Sequence, residues 1–109
     1  MNRNGNVYYG GMLAGLIEET ANGYRFTYDA GYLASPETRP ISLTLPKRAE
    51  PYLSKVLFPF FFGLLAEGIL KETQCRKLKL DENDHFGRLL KTSHADTVGA
   101  VTVVEEPEV

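Results

Sequence analysis

A chain of 109 residues has room for one domain with one hydrophobic core, and not for a multidomain enzyme. Hydrophobic residues at 43%, charged residues at 24% and a net charge of −2 are ordinary globular values, and they leave no electrostatic reason for the whole molecule to bind nucleic acid. The single cysteine, Cys75, rules out an internal disulfide and fits a reducing cytoplasm.

In chain order, the first six residues carry no apolar run, so no secretory signal is expected. Val7-Tyr8-Tyr9 reads as a short strand closed by the turn-compatible pair Gly10-Gly11. Asn22-Gly23 is placed at the centre of a type I′ turn, where both positions need positive φ. Tyr24, Phe26 and Tyr28 alternate with Arg25 and Thr27, a period of two that gives a half-buried strand with an aromatic inner face. A hairpin pairing residues 13–19 with 24–28 follows. Residues 30–40, punctuated by Pro36 and Pro40, read as a loop. Residues 41–45 read as a strand with Ile41, Leu43 and Leu45 on one face, and residues 47–54 as a connector.

The second half reads as helices. Pro59 suits a first helical turn, and the predicted helix runs to Glu67 with Gly68 as the left-handed residue past its end. A second helix covers residues 69–78. Asp81 is the expected N-cap of a third, with Glu82 and Asp84 in its first turn and Phe86, Leu89 and Leu90 as its apolar stripe. Residues 98–104 are β-branched and apolar, a closing strand, and residues 105–109 an acidic tail. Strands, then helices, then one strand imply an α+β domain: an antiparallel sheet with about three short helices on one face. No linker divides residues 1–109, and the longest apolar run, broken by Pro59 and Gly63, is too short to cross a membrane.

The phenylalanine-rich segment is apolar on two sides. On a helix turning about 100° per residue, Leu57, Phe60, Phe61, Leu64 and Gly68 form one stripe. Phe58, Phe62, Leu65 and Ile69 form a second, and these four are the candidate partner-binding residues. One reading buries this helix between the sheet and a neighbouring helix. The other makes the second stripe a docking patch with Phe62 as its anchor, since aromatic side chains are the usual hot spots of such patches.

Chemistry has few candidates. Ser93, His94 and Asp96 are near-neighbours in one loop, whereas triad members act from separate elements, so loop composition explains them. His85 has no second histidine or cysteine at ligand spacing and reads as a surface residue. Asp81, Glu82 and Asp84 lack the spacing of a calcium loop. Cys75 reads as a small apolar filler. Phosphate-binding and kinase motifs are missing from the sequence, so no enzymatic activity and no cofactor is expected. Lys71, Arg76, Lys77, Lys79, Arg88 and Lys91 gather in the helical half, either as a solvated face or as an attraction for an acidic partner.

Two blocks carry a family resemblance. One runs from Tyr28-Asp29-Ala30-Gly31-Tyr32-Leu33-Ala34-Ser35-Pro36 into Ile41-Ser42-Leu43-Thr44-Leu45-Pro46. The other is Phe58-Pro59-Phe60-Phe61-Phe62-Gly63-Leu64-Leu65-Ala66-Glu67-Gly68. With Asp84-His85-Phe86-Gly87-Arg88-Leu89-Leu90 and Asp96-Thr97-Val98-Gly99-Ala100-Val101, they resemble the domain that precedes the kinase core of HipA-type serine/threonine kinase toxins. As a free-standing chain it is similar to the HipS-like small proteins of three-gene HipBST toxin–antitoxin systems. Family members usually have Leu-Leu-Pro-Glu-Gly where this chain has Leu64-Leu65-Ala66-Glu67-Gly68. The resemblance implies a cytoplasmic antitoxin that binds a HipT-like serine/threonine kinase in trans. It also implies a ternary complex with a HipB-like helix-turn-helix protein, without direct nucleic-acid or membrane binding. The alternative it leaves open is a non-inhibitory subunit that completes the kinase fold.

Overall fold

The computed structural model describes residues 3–93 and 101–106. Their order is β1 (Asn4–Tyr9), β2 (Met12–Thr20), β3 (Gly23–Tyr28), α1 (Ala30–Ala34), β4 (Tyr52–Ser54), α2 (Pro59–Phe62), α3 (Gly68–Leu78), α4 (His85–Thr92) and β5 (Val101–Glu105). The five strands form one sheet in the order β4-β3-β2-β1-β5, with every neighbouring pair antiparallel. The α+β expectation therefore holds.

Alternation along the strands sends Val7, Ile17, Phe26 and Val103 to one face, where all four are fully buried with Phe61, Phe86 and Leu89 from the helices. The opposite face carries Asn6, Leu16, Glu18, Arg25, Thr27 and Val104, none of them buried. Aromatic edges join the layers: Tyr24 meets Phe86 at 5.4 Å and Phe26 meets Phe61 at 5.6 Å between ring centroids.

The hairpin of residues 13–19 with 24–28 is present, but its turn is displaced by one residue. Thr20 pairs with Gly23, so the loop residues are Ala21 and Asn22, and neither has positive φ. Gly23 does have positive φ, at 146°, and a Cβ there would also come within 2.2 Å of the Ser54 carbonyl oxygen on β4. The turn with positive φ at both central positions is Gly10-Gly11, at 57° and 84°, joining Tyr9 to its partner Met12.

Three segments of the first half differ from expectation. The loop of residues 30–40 begins with α1, because the Asp29 carboxylate caps it by accepting from the Tyr32 amide at 3.1 Å. A helix of five residues is too short to show a period. Residues 41–45 form no strand. The Thr44 amide donates to Ser42 Oγ at 3.2 Å and the Leu45 amide to the Ser42 carbonyl at 3.1 Å, so hydroxyl bonding folds the backbone into a tight turn. Ile41 and Leu45 are buried while Leu43, expected on their face, is 98% exposed. The Tyr28 hydroxyl holds that turn, accepting from the Ile41 amide at 3.1 Å and donating to the Leu45 carbonyl. The connector of residues 47–54 contains the edge strand β4, which pairs Tyr52, Leu53 and Ser54 with β3.

In the helical half, the long helix expected from Pro59 to Glu67 stops at Phe62. Pro59 occupies its first turn as expected, and the chain then tightens, with Leu64 donating to the Phe61 carbonyl and Leu65 to that of Phe62. Gly68 does have positive φ, at 62°, but it opens α3 and does not cap α2. The third helix is capped by Asp84, whose carboxylate accepts from the Gly87 amide at 3.1 Å, and Glu82 and Asp84 precede it. Asp81, the expected cap, instead turns the chain by accepting from the Asn83 amide at 2.9 Å. Phe86, Leu89 and Leu90 are buried as expected. Of the closing strand, 101–104 pair with β1, and 98–100 lie outside the described residues. Glu105 belongs to that strand and pairs with Lys91, and 107–109 lie outside the described residues.

Arg3 ties the sheet to the last helix. Its guanidinium grips Glu19 at 2.9 and 3.1 Å and Asp84 at 2.8 and 3.0 Å. The hydrogen bonds from Arg3 hold both carboxyls below their usual range. A depressed carboxyl stabilises the fold above its unfolded value, near 4, and that stabilisation is lost as pH falls through the folded value. We therefore expect the melting temperature to fall below about pH 4, and Arg3→Ala to shrink that acid-induced drop while costing on the order of 1 kcal/mol at neutral pH. Thermal melts from pH 2.5 to 7 check both. Tyr28→Phe strands a buried amide and carbonyl and should cost about 1–3 kcal/mol, read by denaturant titration.

Candidate functional site

Burial divides the predicted docking stripe. Phe58 (7% exposed) and Leu65 (8%) lie in the core, whereas Phe62 (44%) and Ile69 (81%) face solvent. The physical reason is the break in the helix. Phe58 is the N-cap of α2 with extended backbone, φ −53° and ψ 135°, so it does not sit at the helical angle assumed for it. Leu65 follows the end of α2, and Ile69 belongs to α3. Phe61, fully buried, is the inward anchor of α2 and touches Phe26, Phe58 and Phe60.

Phe62, the next residue along, emerges on the outside of the helical layer. Its ring stands edge-on to His85 at the start of α4, with centroids 4.9 Å apart and planes 73° apart. His85 is half-buried, and its Nδ1 atom makes no hydrogen bond. Beyond Phe62 a cleft of about 220 Å³ opens, lined by Phe62, Leu65, Ala66, Glu67, Gly68, Lys71 and Arg88. Next in sequence, on α3, Ile69 and Leu70 are exposed, and the cleft itself brings an aromatic ring together with two cationic side chains.

Arg88 is the site residue that sequence reasoning misplaced. It was grouped with a basic surface, yet it is only 3% exposed and donates from Nη2 to the Ala66 carbonyl at 2.6 Å. α4 packs on β5 and touches α2 and α3, so the chain between α2 and α3 covers the side of α4 that a simple amphipathic helix would leave wet. Phe86 through Leu90 are all buried in consequence. No local pattern in the sequence announces this. Of the other basic residues, Arg76, Lys77 and Lys79 are exposed, and Lys91 is engaged with Glu105.

No cluster of three histidine, cysteine, aspartate or glutamate side chains suited to a metal occurs among the described residues. His94 and Asp96 lie outside the described residues, and Ser93 is buried in the last turn of the helical half. Cys75 is buried and free. No described helix is long and apolar enough to cross a membrane.

Burial also predicts how the phenylalanines separate in experiment. Phe58→Ala should destabilise the fold by about 3–5 kcal/mol, whereas Phe62→Ala should leave stability within roughly 1 kcal/mol of the parent, as measured by denaturant unfolding.

Comparison with known proteins supplies the family. The chain is 35% identical over 106 residues to an uncharacterized protein of Haemophilus influenzae, covering 97% of this chain and 95% of that one. It is 32% identical over 104 residues to a putative kinase of Sinorhizobium fredii, Y4mE, covering 94% of this chain but 24% of that protein. A solved structure of the N-terminal domain of HipA toxin matches with a TM-score of 0.76 and 31% identity, covering 98% of this chain and 95% of the other. The family model of the HipA N-terminal domain matches residues 5–104, and the chain belongs to that family.

Proposed function

We propose that this protein is an antitoxin that docks on a HipT-like serine/threonine kinase in trans and neutralises it, acting by binding alone. One observation carries the reading. The same domain forms about a quarter of a putative kinase in Sinorhizobium fredii, while the Haemophilus influenzae relative is matched along almost its whole length. A domain found within a putative kinase makes a kinase core the partner we propose for it. Phe62 supports the reading, because a large aromatic ring left in water on the helical layer suits a pocket on another protein. Docking of this kind blocks the kinase active site or holds the kinase in an inactive state. A HipB-like helix-turn-helix protein completes a cytoplasmic ternary complex and supplies any DNA contact.

A second reading, a non-inhibitory subunit that completes the kinase fold, is favoured by the uncovered face of the sheet. Leu13, Leu53 and Val104 are exposed there, an apolar surface suited to a large fixed neighbour. Growth of cells expressing the cognate kinase separates the two. The antitoxin reading expects arrest with the kinase alone, rescue when this protein is co-expressed, and loss of rescue with Phe62→Ala despite normal folding. A kinase that arrests growth only when this protein is present would support the subunit reading and overturn inhibition.

A further inference from the structure

We propose that the cleft beside Phe62 is an acceptor for a carboxylate side chain of the docked protein, held between Arg88 and Lys71. The inference rests on the docking reading for the source of the carboxylate. Its chemistry rests on the cleft alone.

A guanidinium removed from water normally acquires a carboxylate. Arg88 has none. Among the described residues it takes part in no ion pair, and the bond from Nη2 to the Ala66 carbonyl is the one its side chain makes. A neutral carbonyl occupies one of the five N–H donors and leaves the positive charge unbalanced. Arg88 nevertheless lines a cleft of about 220 Å³, so the charge has an opening through which a counter-charge can enter.

Two further features point into the same space. Lys71 lines the cleft, is half-buried, and has no carboxylate within ion-pair distance among the described residues. The first turn of α3 begins at the cleft with Gly68, and its N-cap Glu67 makes no side-chain capping bond. The backbone donors of that turn therefore add to the positive end of the site. Glu67 also lines the cleft, is exposed, and forms no ion pair with Lys71 or Arg88 among the described residues. Phe62 and Leu65 supply apolar walls beside the cationic groups. An aromatic anchor next to a cationic cleft fits a protein segment carrying an acidic residue beside an apolar pocket.

The test has two arms. First, the isolated full chain is titrated with the peptide acetyl-Glu-Glu-amide, and separately with inorganic phosphate, at constant ionic strength, while amide NMR shifts are followed. The proposal expects saturable shifts at Gly68, Ile69 and Lys71 with the peptide, abolished in Lys71→Glu, whose melting temperature stays that of the parent. Arg88→Lys, which keeps the charge but loses the fork, should weaken the response without removing it. No shift with the peptide, a response to phosphate only, or shifts that persist in Lys71→Glu would each overturn the proposal. Second, Lys71→Glu should weaken binding to the purified cognate kinase by about tenfold, more at low salt than at high. Unchanged binding by that variant would remove the partner's carboxylate from the cleft. A parent protein that fails to bind the kinase at all would overturn the docking reading, while the peptide titration would still decide the chemistry of the cleft.

Discussion

Everything distinctive about the outer surface depends on the burial of Phe61. With its side chain fully out of water against Phe26, and with Phe58 and Phe60 packed on its flanks, the orientation of α2 is fixed. A neighbouring residue on a helix lies about 100° round the axis, so an inward Phe61 turns Phe62 away from Phe26, and Phe62 is 44% exposed. Fully burying a phenylalanine contributes roughly 1.5–3 kcal/mol, and Phe61 makes that contribution against Phe26, Phe58 and Phe60. Exposure of Phe62 is thus a consequence of good packing next door.

The cleft follows from the same constraint. Because α2 ends after four residues, the chain must return to the core at Leu65 before it can start α3 at Gly68. That return passes over α4, where the Arg88 guanidinium catches the Ala66 carbonyl and is itself covered. A longer α2 would have carried residues 63–67 outward and left Arg88 in water. Short helix, tight return and buried arginine form one arrangement, and it places a cation next to the exposed aromatic ring. Arg3 performs a separate task at the other end of α4, where it joins the N-cap Asp84 to Glu19 on the sheet.

Much of the fold was legible because hydrophobic period and local capping agree with tertiary packing. The aromatic alternation of Tyr24, Phe26 and Tyr28 gave the inner face of β3, and Phe86, Leu89 and Leu90 gave the buried side of α4. Where hydroxyl chemistry or close approach decided the backbone, period misled. Ser42 bonds the amides of its own turn through side chain and carbonyl, so the alternation of Ile41, Leu43 and Leu45 never becomes a strand. The Asn22-Gly23 pair looks like a I′ turn, yet Gly23 is there to let Ser54 approach. The candidate site was half legible. Phe62 is legible as an aromatic side chain on the second stripe, but placing Phe58 and Leu65 beside it extends one helix through Gly63, where the structure ends it. Arg88 could not be found from spacing, since only the path of the α2–α3 connection buries it.

The proposed docking puts the helical side around Phe62, rather than the open side of the sheet, against the kinase. Hydrogen–deuterium exchange of this protein, free and bound to its purified cognate kinase, measures that most directly. Docking through the helical side should slow exchange in the bound state across residues 62–71, with the strand amides of β2 and β3 unchanged. Protection confined to the sheet, with residues 62–71 exchanging as fast as in the free protein, would contradict it.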